Sequence, residues 1–345
     1  MEPIKKLLSK NKKTRVILVS LPAILLCIAG LAFAWQHGFR YHKNRAAMLR
    51  TLHESAFSKE GAETLAANEY QLSLKGESEI IKAPVTRQEI EGSLQKYPRA
   101  TGGVVKEAGF AQGGVVPHHL LASDLIAEFF SSVSKHVTPR RFIIIGPNHP
   151  DAGIFKITTG RNDWETVYGN VASDQSVVAA AEKLSFVGED VNVLTHEHSV
   201  YTLIPFIRVY FPEATVVPFA ISSDITTTEL NDFVEALKPF IDEKTFVIAS
   251  VDFSHYLSSD SAKEKDNVMR KLMEERSYNT MRGLQSDFLD SPASLITTMR
   301  LTEESGASEI KIIKNVTSAD IIGQPLDSST SYFTILFTRP TSSIR

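Results

Sequence analysis

Histidines and carboxylates recur in four short clusters along the 345-residue chain. Pro117-His118-His119 closes one apolar run, Gly146-Pro147-Asn148-His149 closes a second, and Ser250-Val251-Asp252-Phe253-Ser254-His255 leads out of a third. The fourth, Thr195-His196-Glu197-His198-Ser199, adds two imidazoles and a carboxylate. Neutral imidazole is a common metal donor and also titrates near physiological pH, so histidines converging from several segments suit metal binding or proton transfer. Asp252 and Glu197 also have plainer uses, as a turn cap and as a partner for a helix dipole. His119 and His196 look the most dispensable. The only cysteine, Cys27, lies in an apolar run near the N-terminus, so a metal held elsewhere must use nitrogen and oxygen donors. That excludes structural zinc and iron–sulfur sites built on cysteine, and it leaves no disulfide.

The elements that must position these groups are legible as apolar runs. Gly113 to Pro117 reads as a strand, followed by a helical pattern with Leu121, Leu125, Ile126, Phe129 and Phe130 on one side. Arg141 to Gly146 is continuously apolar after its first residue, as expected of a strand buried on both faces. Thr215 to Phe219 and Thr245 to Ser250 are separated by a helix-like stretch from Thr228 to Phe240, which gives βαβ alternation, and Tyr332 to Phe337 reads as a closing strand. A further helix is expected from Val200 to Tyr210. The fold class is therefore α/β, with a mainly parallel or mixed central sheet and helices on both faces. Such sheets bind ligands at the carboxyl ends of their strands, which is where the histidines fall.

Composition narrows the partners. A formal net charge of -3 provides no basic field for a polynucleotide, so nucleic acid is not expected. Basic residues do gather at 1–15, ahead of an uncharged apolar run over 16–35 of the length a membrane helix needs. The run exceeds an ordinary signal core, which favours an uncleaved anchor: N-terminus cytoplasmic, main domain extracytoplasmic. The other reading is a secreted protein cleaved near Ala34, where Ala32-Phe33-Ala34 fits the small-x-small pattern. Residues 36–100 read as stalk and lead-in, and 101–345 as the α/β domain.

Four motifs in order, Gly114-Val115-Val116-Pro117-His118, Gly146-Pro147-Asn148-His149, Glu197-His198-Ser199 with Pro205-Phe206, and Ser250 to Tyr256, resemble the Memo family, which includes AmmeMemoRadiSam system protein B. The similarity spans roughly Gly113 to Phe337, with Thr166 and Gly169 in the family's Thr-Pro-x-Gly stretch. What the resemblance implies is a fold like the class III extradiol dioxygenases and a metal-binding cleft. By it, His118 and His149 match metal ligands, and Asp252 and His255 match an Asp-x-x-His pair in which the histidine is acid or base. Glu197 and His198 match a Glu-His-Ser motif expected at the rim. Two departures stand out. The family's ligand cysteine falls on Asp290, and the second Glu of the Glu-His-Ser-x-Glu pattern is Tyr201.

With Asp290 in the cysteine position, His118, His149 and Asp290 form a two-histidine, one-carboxylate set of the kind that suits non-haem Fe(II), with Zn(II) as the alternative. Asp290-Ser291-Pro292 is also an ordinary helix start. Three function classes follow. One is a dioxygenase-like oxidoreductase acting on a small-molecule substrate, with His255 moving protons alongside Asp252, Glu197 and His198. The others are a zinc-dependent hydrolase and a non-catalytic module that binds a metal ion or a partner.

Overall fold

The computed structural model describes residues 80–100 and 111–340. Eleven strands occur among them: β1 (Ile81–Lys82), β2 (Ala111–Val116), β3 (Arg141–Pro147), β4 (Ile157–Thr159), β5 (Trp164–Thr166), β6 (Gly169–Val171), β7 (Val187–Glu189), β8 (Thr215–Ile221), β9 (Thr245–Ser250), β10 (Glu309–Thr317) and β11 (Ser331–Thr338). Eight of them form one sheet in the order β10-β11-β2-β9-β3-β8-β4-β7. Its centre, β2-β9-β3-β8, is parallel, and β10 and β11 close one side antiparallel. The mixed α/β architecture expected from the apolar runs is therefore present.

Two-residue periodicity explains why these runs became central strands. Successive side chains of a strand point to opposite faces. In β3, Ile143 and Ile145 enter one core cluster while Phe142 and Ile144 enter the other. The first cluster is covered by the helices Thr227–Leu237, Ser259–Glu274 and Pro292–Glu304, through residues such as Phe233, Met269 and Leu295. The second is covered by Ser123–His136 and Ile204–Tyr210, through Phe129, Phe130 and Phe206. Apolar burial on both faces is the main force holding the sheet in place. It also fixes the ends of β2, β9 and β3 side by side.

Three expectations change. The helix anticipated from Val200 to Tyr210 is two helices, His198–Tyr201 and Ile204–Tyr210, because Pro205 lacks an amide proton and suits the first turn of a new helix instead. The end of the stretch assigned to the lead-in belongs to the fold. β1 pairs with β5 beside the fully buried Trp164, and the helix Arg87–Lys96 packs Ile90 into the second cluster. Its start is fixed by Glu89, which accepts the Thr86 backbone N–H at 2.8 Å.

The third change concerns the membrane. No helix among the described residues is long and apolar enough to cross one, and the run over 16–35 lies outside them. The expected anchor and the extracytoplasmic placement built on it are accordingly withdrawn.

Candidate functional site

Parallel pairing brings three sequence-distant polar residues to one end of the sheet. His118 follows β2 by two residues, His149 follows β3 by two, and Asp252 follows β9 by two. Their exits are pinned by backbone bonds that continue the ladder: Val251 N–H donates to the Val116 carbonyl at 3.2 Å and Asn148 N–H to that of Ile221 at 2.8 Å. Asn148 then closes its own loop, its amide donating to the Ala152 carbonyl while its oxygen accepts the Ala152 N–H. The Glu197–Ser199 segment lies directly on the end of β3. Gly146 permits this approach, since a side chain there would meet Ser199 Cβ at 2.7 Å.

His118 is 2% exposed. Its N–H donates to Asp252 Oδ1 at 3.1 Å, and Nδ1 lies 3.3 Å from the Ser250 hydroxyl. That leaves Nε2 facing Asp290 Oδ2 at 3.3 Å and Asp252 Oδ2 at 3.8 Å. His149 is oriented from behind by Glu197, which accepts the His149 N–H at 2.8 Å and stands 2.7 Å from Nδ1. Its Nε2 points towards Asp290 Oδ2 at 3.9 Å. A carboxylate on one ring nitrogen fixes the tautomer and frees the other for a metal.

His198 joins these two. Its ring stacks on His149 at 4.1 Å between centroids, and the donor atoms of His118, His149 and His198 all lie within 4.8 Å of one another. Such a group could hold a metal ion.

Asp290 sits where the imidazoles converge. Ser291, rather than Asp290, caps the helix Pro292–Glu304 by accepting the Ser294 N–H, so the carboxylate is released from the helix-start duty its sequence context allows. It is held instead by exchange with the chain leaving β9: Asp252 N–H donates to Asp290 Oδ2 at 3.0 Å and Asp290 N–H to the Asp252 carbonyl at 3.1 Å. The side chain is 8% exposed, and Oδ1 is buried with no hydrogen-bond partner. A buried unsatisfied carboxylate oxygen is costly. With Oδ2 beside the imidazole nitrogens and Oδ1 unpartnered, the carboxylate is what a cation would satisfy, so these donors fit a metal ion.

Burial sets the electrostatics. It drives the His118 imidazole well below the ordinary histidine value, with His149 and His198 adding to the effect, and it lowers His198 and His255. Burial also raises the carboxyl of Asp252, against the pull of His255, and raises that of Asp290 strongly, with Asp252 adding to it. Glu197 behaves differently. Burial alone would raise it, but the hydrogen bond and charge of His149, with the N–H groups of Ser199 and His149, bring it below the usual carboxylate range.

For His118 the sign is clear: the folded state keeps the ring neutral while the unfolded chain takes a proton near the ordinary value of 6.5. Stability contributed by His118 is thus lost as pH falls below about 6.5, at about 1.4 kcal/mol per pH unit. In metal-free protein, the advantage of wild type over His118→Gln is expected to shrink by about 1.4 kcal/mol between pH 7.5 and 5.5, read from urea unfolding at each pH. A constant difference would contradict a buried neutral ring.

The structure brings His118, His149 and Asp290 together, while several other candidate residues stand elsewhere than anticipated. Glu197, expected at the rim, is 1% exposed and sits behind His149. His198, expected among the catalytic groups, stands with the donors. Asp252 braces His118 and Asp290 through the bonds described above. His255 lies outside the donor group. Its Nδ1 is buried without a partner, and the chain turns sharply after it, with the exposed Tyr256 at φ 60°, a conformation bulky residues rarely adopt. His119 bonds the Tyr332 hydroxyl and His196 the Asn192 carbonyl. Ser250, behind His118, had no signal in the sequence to mark it.

Beside the cluster opens a cavity of about 360 Å³ whose lining includes His149, Asp290, Asn148, Ser222 and Arg282. That volume suits a small molecule.

Comparison with known proteins agrees with the motif pattern. A family model described as Memo-like protein matches residues 84–336. A MEMO1 family protein of Caldivirga maquilingensis is 27% identical over 250 residues, covering 70% of this chain and 88% of that protein. Another, from Pyrobaculum aerophilum, is 29% identical over 245 residues, covering 68% and 86%. An uncharacterized protein of Escherichia coli K12 superposes with a TM-score of 0.44 at 12% identity, over 62% of this chain and 92% of that one.

Proposed function

The chain belongs to the Memo-like protein family, and from that premise we propose that it is a metal-dependent oxidoreductase, dioxygenase-like, acting on a small molecule held in the cavity beside His149 and Asp290. The observation that carries this reading is the buried Asp290 carboxylate, whose Oδ2 stands 3.3 Å and 3.9 Å from Nε2 of His118 and His149 while its Oδ1 has no partner. Two imidazoles and one carboxylate suit Fe(II) with open positions, and an oxygen donor in the family's cysteine position moves preference away from Cu(I). When bound, such a metal supplies Lewis acidity and coordination sites for substrate.

The protein's own residues do the rest. Glu197 holds the rear nitrogen of His149, so its front nitrogen keeps its lone pair inward, and Ser250 stands behind the ring of His118. Asp252 fixes the Asp290 carboxylate by its backbone N–H. In this reading His255, its pKa lowered by burial and its ring neighboured by Asp252, would act as the proton acceptor.

A second reading rests on one further observation. The His118, His149 and His198 group is a three-histidine donor set, as in catalytic zinc sites, and would serve hydrolysis with Zn(II). Anaerobic loading of the full-length chain with Fe(II), followed by oxygen-uptake measurements on a panel of catechols, separates the two. Oxygen consumption that Zn(II) does not support is the expected result. Zinc-dependent ester cleavage without oxygen uptake would replace the first reading with the second.

A further inference from the structure

The cavity beside the cluster contains a cation that the reading above does not use. Arg282 ends the short helix Tyr278–Arg282 and lines the same cavity as His149 and Asp290. A guanidinium has five donor hydrogens. Among the described residues its one hydrogen-bonded partner is the Ile225 carbonyl, through Nη2, and it has no ion-pair partner. Its Nε is buried and finds no acceptor.

Other lining groups point the same way. Ser291, Pro292 and Ala293, the start of a 13-residue helix, also line the cavity, and that end carries partial positive charge. The second lining carboxylate besides Asp290 is Asp151, and its oxygens already accept hydrogen bonds from neutral groups on the cavity wall. Oδ1 accepts the Ser222 hydroxyl and the Ser223 N–H, and Oδ2 accepts the Ser223 hydroxyl. Arg282 is thus a charge with unfilled donors in a hollow of about 360 Å³, room for an acid of roughly one ring.

We propose that this cavity selects small organic acids, the ligand's carboxylate pairing with Arg282 while its other end faces His149 and Asp290. The proposal rests on the reading of that cluster as the reacting end, and it makes Arg282 the residue that sets substrate charge. Arginine and a carboxylate form charge-assisted hydrogen bonds stronger than neutral ones, so an acid should bind tighter than its amide by about tenfold or more.

Benzoate and benzamide, alike in shape and different in charge, are suitable probes for calorimetry on the full-length chain, both chelator-treated and metal-loaded. The expected result is a benzoate preference of about tenfold or more that Arg282→Gln removes while benzamide affinity stays. Arg282→Lys, which keeps the charge but not the planar fork, is expected to show a smaller preference than wild type, and it serves if Arg282→Gln does not fold. Equal binding of the two probes, binding of neither, an equal loss of both in Arg282→Gln, or an unchanged preference in Arg282→Lys would overturn the proposal. Elemental analysis of the same samples keeps the two readings apart. Protein that never takes up metal yet prefers benzoate through Arg282 sinks the metal reading alone; protein that holds metal without the preference sinks this one alone.

Discussion

Replacing Asp290 with asparagine is expected to weaken divalent-metal binding by about 100-fold or more, while making the metal-free protein more stable by about 1 kcal/mol. The two signs come from one geometry. In metal-free protein the carboxylate is 8% exposed, its Oδ1 has no partner, and the buried Asp252 carboxyl stands beside it. Asparagine removes the penalised charge and can still accept the Asp252 N–H that Oδ2 receives at 3.0 Å. With metal present, the same charge is the one carboxylate that lies within 4 Å of Nε2 of both His118 and His149. Even residues behind a ligand change affinity by about 10- to 100-fold when lost, so removing a direct donor should exceed that range. Metal titration and urea unfolding of Asp290→Asn check both halves. A variant that binds metal like wild type would return Asp290 to a merely local role.

The second large effect is expected one layer back, at Glu197. Its carboxylate accepts from the His149 N–H, the His149 ring at Nδ1 and the Ser199 N–H. Glutamine offers one acceptor oxygen and an amide that must donate, so one of those bonds becomes a clash of donors. Turning the amide towards Nδ1 would reverse the tautomer and put the proton on Nε2, the nitrogen that faces Asp290. Glu197→Gln is therefore expected to reduce metal affinity by about 10- to 100-fold and stability by about 1–3 kcal/mol. Nitrogen NMR of the His149 ring would show the exchange directly. An unchanged tautomer together with unchanged affinity would contradict the assigned role.

How far the sequence foretold this depends on which force controls each residue. β3 and β9 were legible because strands buried on both faces must be apolar throughout. Polar residues immediately after such runs are then forced to one end of the sheet, which is why His118, His149 and Asp252 could be grouped. Side-chain direction is a different matter. Glu197 and His198 are adjacent, yet one turns inward behind His149 and the other stacks against it, because Glu197 precedes a helix start and Ser199 accommodates to Gly146.

Spacing carries no trace of that arrangement. Residues 80–100 read as a spacer since only a few scattered apolar side chains, Ile81, Ala83, Val85 and Ile90 with Leu94 and Tyr97 beside them, do their packing. Arg282 gave no signal either, because a basic residue at a helix end has an ordinary explanation. The apolar run over 16–35 suggested an anchor from length and hydropathy, and the described fold offers that suggestion no membrane-crossing helix.

Everything proposed for chemistry depends on imidazoles and a carboxylate from separate segments closing on one ion. The most direct measurement is an anomalous difference map, collected at the absorption edge of whatever metal fluorescence detects in crystals of protein grown without chelators. A single strong peak bounded by His118 Nε2, His149 Nε2 and Asp290 is the expected result. A blank map at that position, or a peak elsewhere with those three side chains uninvolved, would contradict it.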